Sequence, residues 1–566
     1  MDDAGSGLQP SRRSVLRSIG LAVCGTSISF SSSKAAGKGR PQTSSSFVDI
    51  LRQPDEITAS SETNDRLRLE RSGTDWRSGD VVVACKEQSG KLPVTVTSAS
   101  SALLRVHLRW EAPLPADLKV LGDAWERSYG ELGWREIIPE RPMPWYFLAF
   151  DGHSTHAYGV KTGAGSLAFW LCDSEGISLW LDLRNGGNGV LLNGRTLDAA
   201  TVLTREGHEE ESSFAAARAF CRVMSPAPRP LTHPAYGSND WYYAYGNSSA
   251  KDILRNADLM VELAPSSGPR PFTIIDDGWQ NRARFPDMAD LAASIRAKGA
   301  RPGIWVRPLR APSGAGNLLL PDAHFGNGRV SNYAYDPTIP EAREKALDTI
   351  RQAVDWKYEL VKHDFSTWEL LGQWGKDMHA SPTLPGWSLH DRSKTNAEVI
   401  GELYRSIREV AGEKTILIGC NVVGHLSAGI FEMQRTGDDV SGKVWERTRR
   451  MGINTLAFRL PQHGTFFMMD ADCVPITSDI PWALTKQWLN AVAASGTALL
   501  VSPAVDATGT EQKQAMRDAF RLAADAADAE PEDWLLTHTP AQWKNSSGSD
   551  MHYEWLESGG AFPFEV

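Results

Sequence analysis

Beyond residue 270, several short apolar runs end in a charged or amide side chain. They are Ile275-Asp276-Asp277-Gly278-Trp279, Trp305-Val306-Arg307-Pro308, Leu360-Val361-Lys362-His363-Asp364, Ile418-Gly419-Cys420-Asn421, Arg435-Thr436-Gly437-Asp438-Asp439 and Met469-Asp470-Ala471-Asp472. Charges placed directly behind apolar residues are costly unless they are paired or used. Lys362 and Asp364 stand two residues apart, so in an extended chain both face the same side. A lysine charge there keeps the aspartate ionised, the state a nucleophile needs. Asp438-Asp439 offers a second carboxylate from another segment. Neighbours in a strand face opposite ways, so only one of the two aims at a given centre. A pair of carboxyl groups, one ionised and one protonated, is the equipment for cleaving a glycosidic bond.

Such groups need a frame that brings distant segments to one rim. Strand candidates are Trp241–Tyr245, Phe272–Ile275, Gly303–Val306, Glu359–Lys362, Thr415–Ile418, Glu432–Arg435, Thr465–Met469 and Ala498–Val501. Helical patterns separate most of them: Ala250–Leu263, Met288–Lys298, Pro340–Lys357, Asn396–Ala411 and Thr485–Ser495. This alternation predicts an α/β fold, a (β/α)8 TIM barrel over 229–510, whose active site lies at the C-terminal strand ends. A doubly wound sheet would call for a Gly-rich phosphate turn after an early strand, and none is present. Upstream, from Phe47 to about Met224, short β-rich runs alternate with turn signals such as Asn185-Gly186-Gly187-Asn188-Gly189. They predict an N-terminal antiparallel β-sandwich over 45–228, closed by the linker Ser225-Pro226-Ala227-Pro228-Arg229-Pro230. Residues 511–566 read as a helix, Glu511–Ala526, and a short β tail. With 566 residues the chain is too long for one hydrophobic core, in keeping with this division.

A formal net charge of −10 argues against a nucleic-acid or anionic-membrane partner, both of which need a basic face. Twenty tryptophans exceed ordinary core needs and suit a neutral carbohydrate, whose pyranose rings lie on indole faces. The sequence leaves the oligomeric state open, a homo-oligomer included. The six cysteines show no metal-ligand spacing, and no metal or organic cofactor is expected. Residues 1–36 have the pattern of a twin-arginine signal: Ser11-Arg12-Arg13-Ser14-Val15-Leu16, a moderately apolar stretch, then small residues at Ala35 and Ala36. They predict export to the periplasm or beyond, with no membrane span after cleavage. Val23 is a poor residue before Cys24 for a lipoprotein site. Removal of Cys24 leaves an odd five cysteines, at least one of them a free thiol.

On these motifs the chain resembles the α-galactosidase clan, glycoside hydrolase families 36 and 27, and family 36 more closely. Gly237 to Gly246, containing Trp241, resembles the family's first-strand segment. Asp276-Asp277-Gly278-Trp279 is similar to its paired-Asp motif, Gly303–Pro308 to its third strand, Lys362-His363-Asp364 to its Lys-x-Asp motif and Arg435–Asp439 to its acid/base motif. The resemblance implies a retaining, exo-acting hydrolase of terminal α-D-galactosyl residues. It makes Asp364 the nucleophile and Asp439, four residues after Arg435, the acid/base. It places Trp241, Asp276, Asp277, Trp305, Arg307, Lys362, Cys420, Asn421 and Arg435 around the sugar, with Asp276 and Asp277 on O4 and O6. Asn421 and Gly424, where the C2 substituent would be read, depart from the usual α-galactosidase choice. Related specificities therefore stand beside the first: α-N-acetylgalactosaminidase, β-L-arabinopyranosidase and galactosyl transferase. A non-catalytic carbohydrate-binding protein is the alternative of another class.

Overall fold

The computed structural model describes residues 46–231, 233–326, 333–525 and 527–563. Eight parallel strands close a barrel: β1 Tyr236–Asn239, β2 Phe272–Ile275, β3 Arg301–Val306, β4 Leu360–His363, β5 Ile416–Gly419, β6 Met433–Arg435, β7 Met468–Ile476 and β8 Ala498–Pro503. Nearly every strand residue is buried, as expected where side chains fill the barrel on one face and meet helices on the other. The helices start where local chemistry dictates. Ser249 and Asp252 form a capping box before Ala250–Leu263, and Thr395 and Glu398 form another before Asn396–Ala411. Pro340 opens Pro340–Asp355, where a missing N–H costs nothing.

Residues ahead of the barrel form a seven-stranded and a nine-stranded antiparallel sheet. Phe147 of the larger sheet meets Trp170 of the smaller one, ring centroids 5.8 Å apart, so apolar faces of the two sheets are in contact. One segment expected to be strand-like is helical: Ser213–Met224, capped by the Ser212 side chain on Ala215 N. Its buried residues Phe214, Ala217, Phe220, Cys221 and Met224 recur every three or four positions, a helical stripe rather than an alternating one. A three-stranded sheet, Glu530–Pro531, Gln542–Lys544 and Asp550–His552, follows the last helix, Thr510–Ala524.

Two barrel strands differ from expectation. β1 ends at Asn239, and Trp241–Ala244 is a short helix, although its aromatic residues favour strands. β7 begins at Met468 rather than Thr465 and runs through Asp470 and Asp472 to Ile476. Both acids are buried inside the strand, which an apolar-run reading ends too early. The five cysteines of the described residues, Cys85, Cys172, Cys221, Cys420 and Cys473, are all free and buried. The twin-arginine segment and Cys24 lie outside the described residues. Among those described, no helix is long and apolar enough to cross a membrane.

Candidate active site

The C-terminal ends of β2 to β7 bring their polar residues to one rim. Asp364 directly follows β4 and is buried. Its Oδ2 accepts from Trp305 Nε1 at 3.0 Å, and its Oδ1 from Phe365 N at 2.7 Å and Asn421 N at 3.1 Å. Phe365 reaches that geometry at φ +66°, a left-handed conformation unfavourable for a bulky residue. The turn folds the backbone back on the carboxylate. Three donors on one carboxylate hold its orientation.

The sequence paired Lys362 with Asp364, but the structure pairs it otherwise. Lys362 Nζ lies 2.8 Å from Asp276 Oδ2, and both side chains are under 10% exposed. Asn239 Nδ2 shares that oxygen at 2.7 Å, and Asp277 N donates to the other at 2.9 Å. Asp276 reaches Lys362 across β3, which lies between β2 and β4, whereas Asp364 stands past the end of its strand. Burial works against the Lys362 ammonium, but Asp276 outweighs it and raises the pKa well above the ordinary value. Lys362→Met is expected to cost about 3–5 kcal/mol by leaving Asp276 buried without its cation. Denaturant unfolding checks this, and a loss under about 1 kcal/mol would contradict it.

Arg435, at the end of β6, is fully buried and links the rest. Its Nη1 lies 3.3 Å from Cys420 Sγ, and its Nη2 lies 2.8 Å from Asp472 Oδ2 and 3.3 Å from Asp439 Oδ1. Cys420 directly precedes Asn421, whose N–H bonds Asp364; burial raises the Cys420 thiol pKa most, and the charge of Asp364 adds to that. The two carboxylates named from sequence, Asp364 and Asp439, thus border one cluster. Asp439 has a 41% exposed side chain, against 16% for Asp438. Burial acts to raise the Asp439 pKa, but Arg435, Arg127, Lys362 and Arg447 together bring it below the ordinary aspartate value. Asp438 is bound on both oxygens, by Arg127 at 2.6 Å and Arg447 at 2.7 Å. Gly437 before it touches a helical segment so closely that a Cβ would lie 2.3 Å from Met451 O.

Other expected residues have different partners. Asn421 is fully buried, with Nδ2 donating to Glu126 and Oδ1 accepting from Trp368 N at 3.0 Å, so its amide is not free to read a sugar hydroxyl. Arg307 Nε bonds Glu369 Oε1 at 2.6 Å, and its guanidinium lies over Phe365, 4.3 Å from the ring centroid. Burial raises Glu369 to about 8 despite Arg307. Asp277, half-buried, gives one oxygen to Gly278 N at 2.9 Å. Trp241 is half-buried beside Tyr245, and Trp305 is buried. A Cβ at Gly424 would meet Gln434 and Arg459 at 3.6–3.7 Å, while His425 stacks on Trp145 and bonds Val160 O at 2.9 Å. Both serve packing.

No family model matches the chain. Solved structures do. The α-galactosidase TtGalA from Thermus thermophilus, in complex with p-nitrophenyl α-D-galactopyranoside, is similar at a TM-score of 0.58 and 19% identity, over 84% of this chain and 97% of that one. AgaA from Geobacillus stearothermophilus, a family 36 α-galactosidase in complex with 1-deoxygalactonojirimycin, gives 0.56 and 12%, over 84% and 76%. The chain has the fold of the family 36 α-galactosidases. The galactosidase domain of the α-galactosidase–sucrose kinase AgaSK gives 0.52 and 14%, over 83% and 74%.

Within this family 36 fold, the β-sheet region contributes to the rim, which the sequence reading missed. Ser128 N donates to Thr436 O at 3.0 Å and Asp438 N to Ser128 O at 2.8 Å, so the segment around Ser128 lies along the loop after β6. It carries in Arg127, buried, 2.6 Å from Asp438 and 3.9 Å from Asp439. It also carries Glu126, pushed up to about 7 by burial against the opposing charge of Arg127. Tyr242, whose hydroxyl bonds Asp472, and Asp240, pushed up to about 6 by burial and by Asp276, complete the base of the cluster.

Proposed function

We propose that the protein is an exported glycoside hydrolase that removes terminal α-D-galactosyl residues with retention of configuration. The observation that carries this reading is the Asp364 carboxylate, fixed by three N–H donors beside the Cys420–Arg435–Asp439 chain of contacts. Asp364 attacks the anomeric carbon while Asp439 gives its proton to the leaving oxygen, and a covalent glycosyl-enzyme forms. Asp439 then takes a proton from water, which displaces Asp364 from the sugar. Arg435 and Arg127 position Asp439. Asp277 and the Lys362–Asp276 pair offer acceptors and a donor to sugar hydroxyls, and Trp241 and Trp305 wall the sugar. The buried, engaged Asn421 amide favours galactose over N-acetylgalactosamine. The twin-arginine pattern at Arg12-Arg13 supports export.

Product stereochemistry tests the mechanism. NMR of p-nitrophenyl α-galactoside hydrolysis should show α-galactose first, with the β anomer arising only by mutarotation. Initial β-galactose would mean inversion, and absence of turnover would remove the hydrolase reading. The pH profile follows from the site. Asp439 must be protonated to act, yet the surrounding cations hold its pKa below the ordinary value. kcat/KM should therefore be greatest at acidic pH and fall about tenfold per unit above an early alkaline limb. Arg127→Met removes one of those cations and should move that limb to higher pH. A plateau extending to pH about 8 in the unaltered protein would contradict the assignment.

A further inference from the structure

Ala124, Trp125 and Tyr129, from the segment that carries Arg127, line a cavity of about 640 Å3. Arg135, Arg141 and Arg450 line it, over an apolar surface that includes Trp125, Leu132 and the 46% exposed Ile138. Several half-buried arginines elsewhere reach carboxylates, as Arg109 meets Asp173 at 2.7 Å, Arg195 meets Glu398 at 2.6 Å and Arg205 meets Glu211 at 2.7 Å, while Arg284 and Arg296 settle on the carbonyls of Ser248 and Lys357. Among the described residues, no carboxylate lies within ion-pair distance of the three cavity arginines. Arg141 makes a long bond of 3.4 Å to Glu131 O, and Arg450 Nε bonds Gly130 O at 3.1 Å. Arg135 Nε is buried with no acceptor. The nearby acids do not supply one. Asp123 is engaged by Arg459 at 3.0 Å and Gln462 at 2.8 Å, Glu131 accepts from Tyr129 N at 2.7 Å, and Glu140 is exposed. Burial, and then repulsion by Arg141, lowers Arg135 to about 10. Glu131 offsets part of the charge on Arg135 and Arg141, but with Lys376 the four cations of the lining still outnumber its three acids, Asp123, Glu131 and Glu140, in a chain of net charge −10. Guanidinium forks of this kind suit planar or tetrahedral oxyanions.

We propose that this cavity receives a carboxylate or sulfate group carried by the leaving part of the glycoside, which makes the substrate an acidic α-galactoside. The proposal rests on the hydrolase reading and names its substrate class. The location supports the leaving-group side. Tyr129 lines the cavity, and its hydroxyl bonds Glu126, the partner of Asn421. Two residues earlier, Arg127 reaches Asp438 and Asp439. Arg450 follows Arg447, which holds Asp438, by less than one helical turn. The cavity therefore adjoins the side from which Asp439 serves the departing oxygen.

The test compares matched substrates that differ in charge: melibionate, with its carboxylate, against neutral melibiitol, and the same pair lengthened by one galactose. The readout is the ratio of kcat/KM within a pair, so that any general loss in a variant cancels. At low ionic strength the unaltered protein should favour the charged member of at least one pair about tenfold or more, as one charge-assisted hydrogen bond provides. Arg135→Met or Arg141→Met should bring that ratio to within about twofold of unity. Equal kcat/KM for charged and neutral members at both lengths, or a preference that survives in both variants, overturns the proposal. Sulfate should compete against the charged members and not against p-nitrophenyl α-galactoside. Sulfate that raises the Tm without such discrimination would place a free anion in the cavity and overturn the substrate assignment. If no galactoside is turned over at all, the hydrolase reading fails by itself. Equilibrium binding of the two pairs to the unaltered protein then decides the cavity separately, with preference for the charged members upholding it and equal binding rejecting it.

Discussion

Asp364→Asn is expected to lower turnover by a factor on the order of 10^4 or more while leaving the protein folded. The asparagine retains an acceptor oxygen for Phe365 N and Asn421 N, the two backbone donors that fix this position. Its amide would then face the Trp305 indole N–H, which now donates to Asp364 at 3.0 Å, so one donor loses its acceptor. That loss costs about 1–3 kcal/mol, enough to lower the Tm by a few degrees and far from enough to unfold a chain with two large sheets and a closed barrel. Activity and stability should therefore separate, with far-UV CD unchanged and hydrolysis of p-nitrophenyl α-galactoside almost lost. Asp364→Gly adds a positive test. The space it opens should admit azide, which attacks the anomeric carbon from the face Asp364 used and releases β-galactosyl azide from an activated substrate. Turnover of Asp364→Asn within about tenfold of the unaltered protein would remove Asp364 from the reaction, whatever else the site does.

The sequence exposes those parts of the molecule whose causes are local. Helices Ala250–Leu263 and Asn396–Ala411 fall where their capping boxes put them, and β2 spans the apolar run Phe272–Ile275 without adjustment. Where tertiary contacts override local preference, the reading shifts. Tyr236-Gly237-Ser238-Asn239 carries two small residues and an amide, a poor strand by propensity, yet it is β1 because β2 and β8 pair with it on either side. The aromatic run after it turns into a helix instead. The rim behaves in the same way. Each barrel residue expected near the sugar stands at or just past the end of its strand or run, because strand direction alone delivers it there. Its partner is a different matter. Lys362 faces Asp276, not Asp364, since the pairing depends on how far two side chains extend across β3. Arg127 and Glu126 come from a loop between strands Lys119–Gly122 and Arg135–Glu136, about 300 residues away in sequence from Asp438 and Asn421, and no periodicity or spacing connects them. Their one visible trace is an acid–base couple embedded in Ala124-Trp125-Glu126-Arg127, a stretch that is otherwise apolar.

Asp438 and Asp439 are adjacent and both acidic, and their removal is expected to have unlike consequences. Asp439→Ala should lower kcat/KM for poor leaving groups, as in melibiose or raffinose, by about 10^2–10^4, the range that general acid catalysis contributes. For a 2,4-dinitrophenyl galactoside, which leaves without a proton, kcat/KM should change far less. Its kcat should still fall, because Asp439 also activates the water of the second step, and the glycosyl-enzyme should accumulate with an apparent drop in KM. Asp438 has no such freedom. Arg127 and Arg447 occupy its two oxygens at 2.6 and 2.7 Å, and its backbone N–H bonds Ser128 O. Asp438→Ala would release both arginines and loosen the segment from the β-sheet region that lies along the loop after β6. The resulting loss should be the same for good and poor leaving groups and should come with a lower Tm. The decisive quantity is the slope of log kcat/KM against leaving-group pKa. It should steepen in Asp439→Ala and stay unchanged in Asp438→Ala. The reverse pattern would make Asp438 the proton donor, which would require Arg127 and Arg447 to give up their ion pairs with it when the sugar binds.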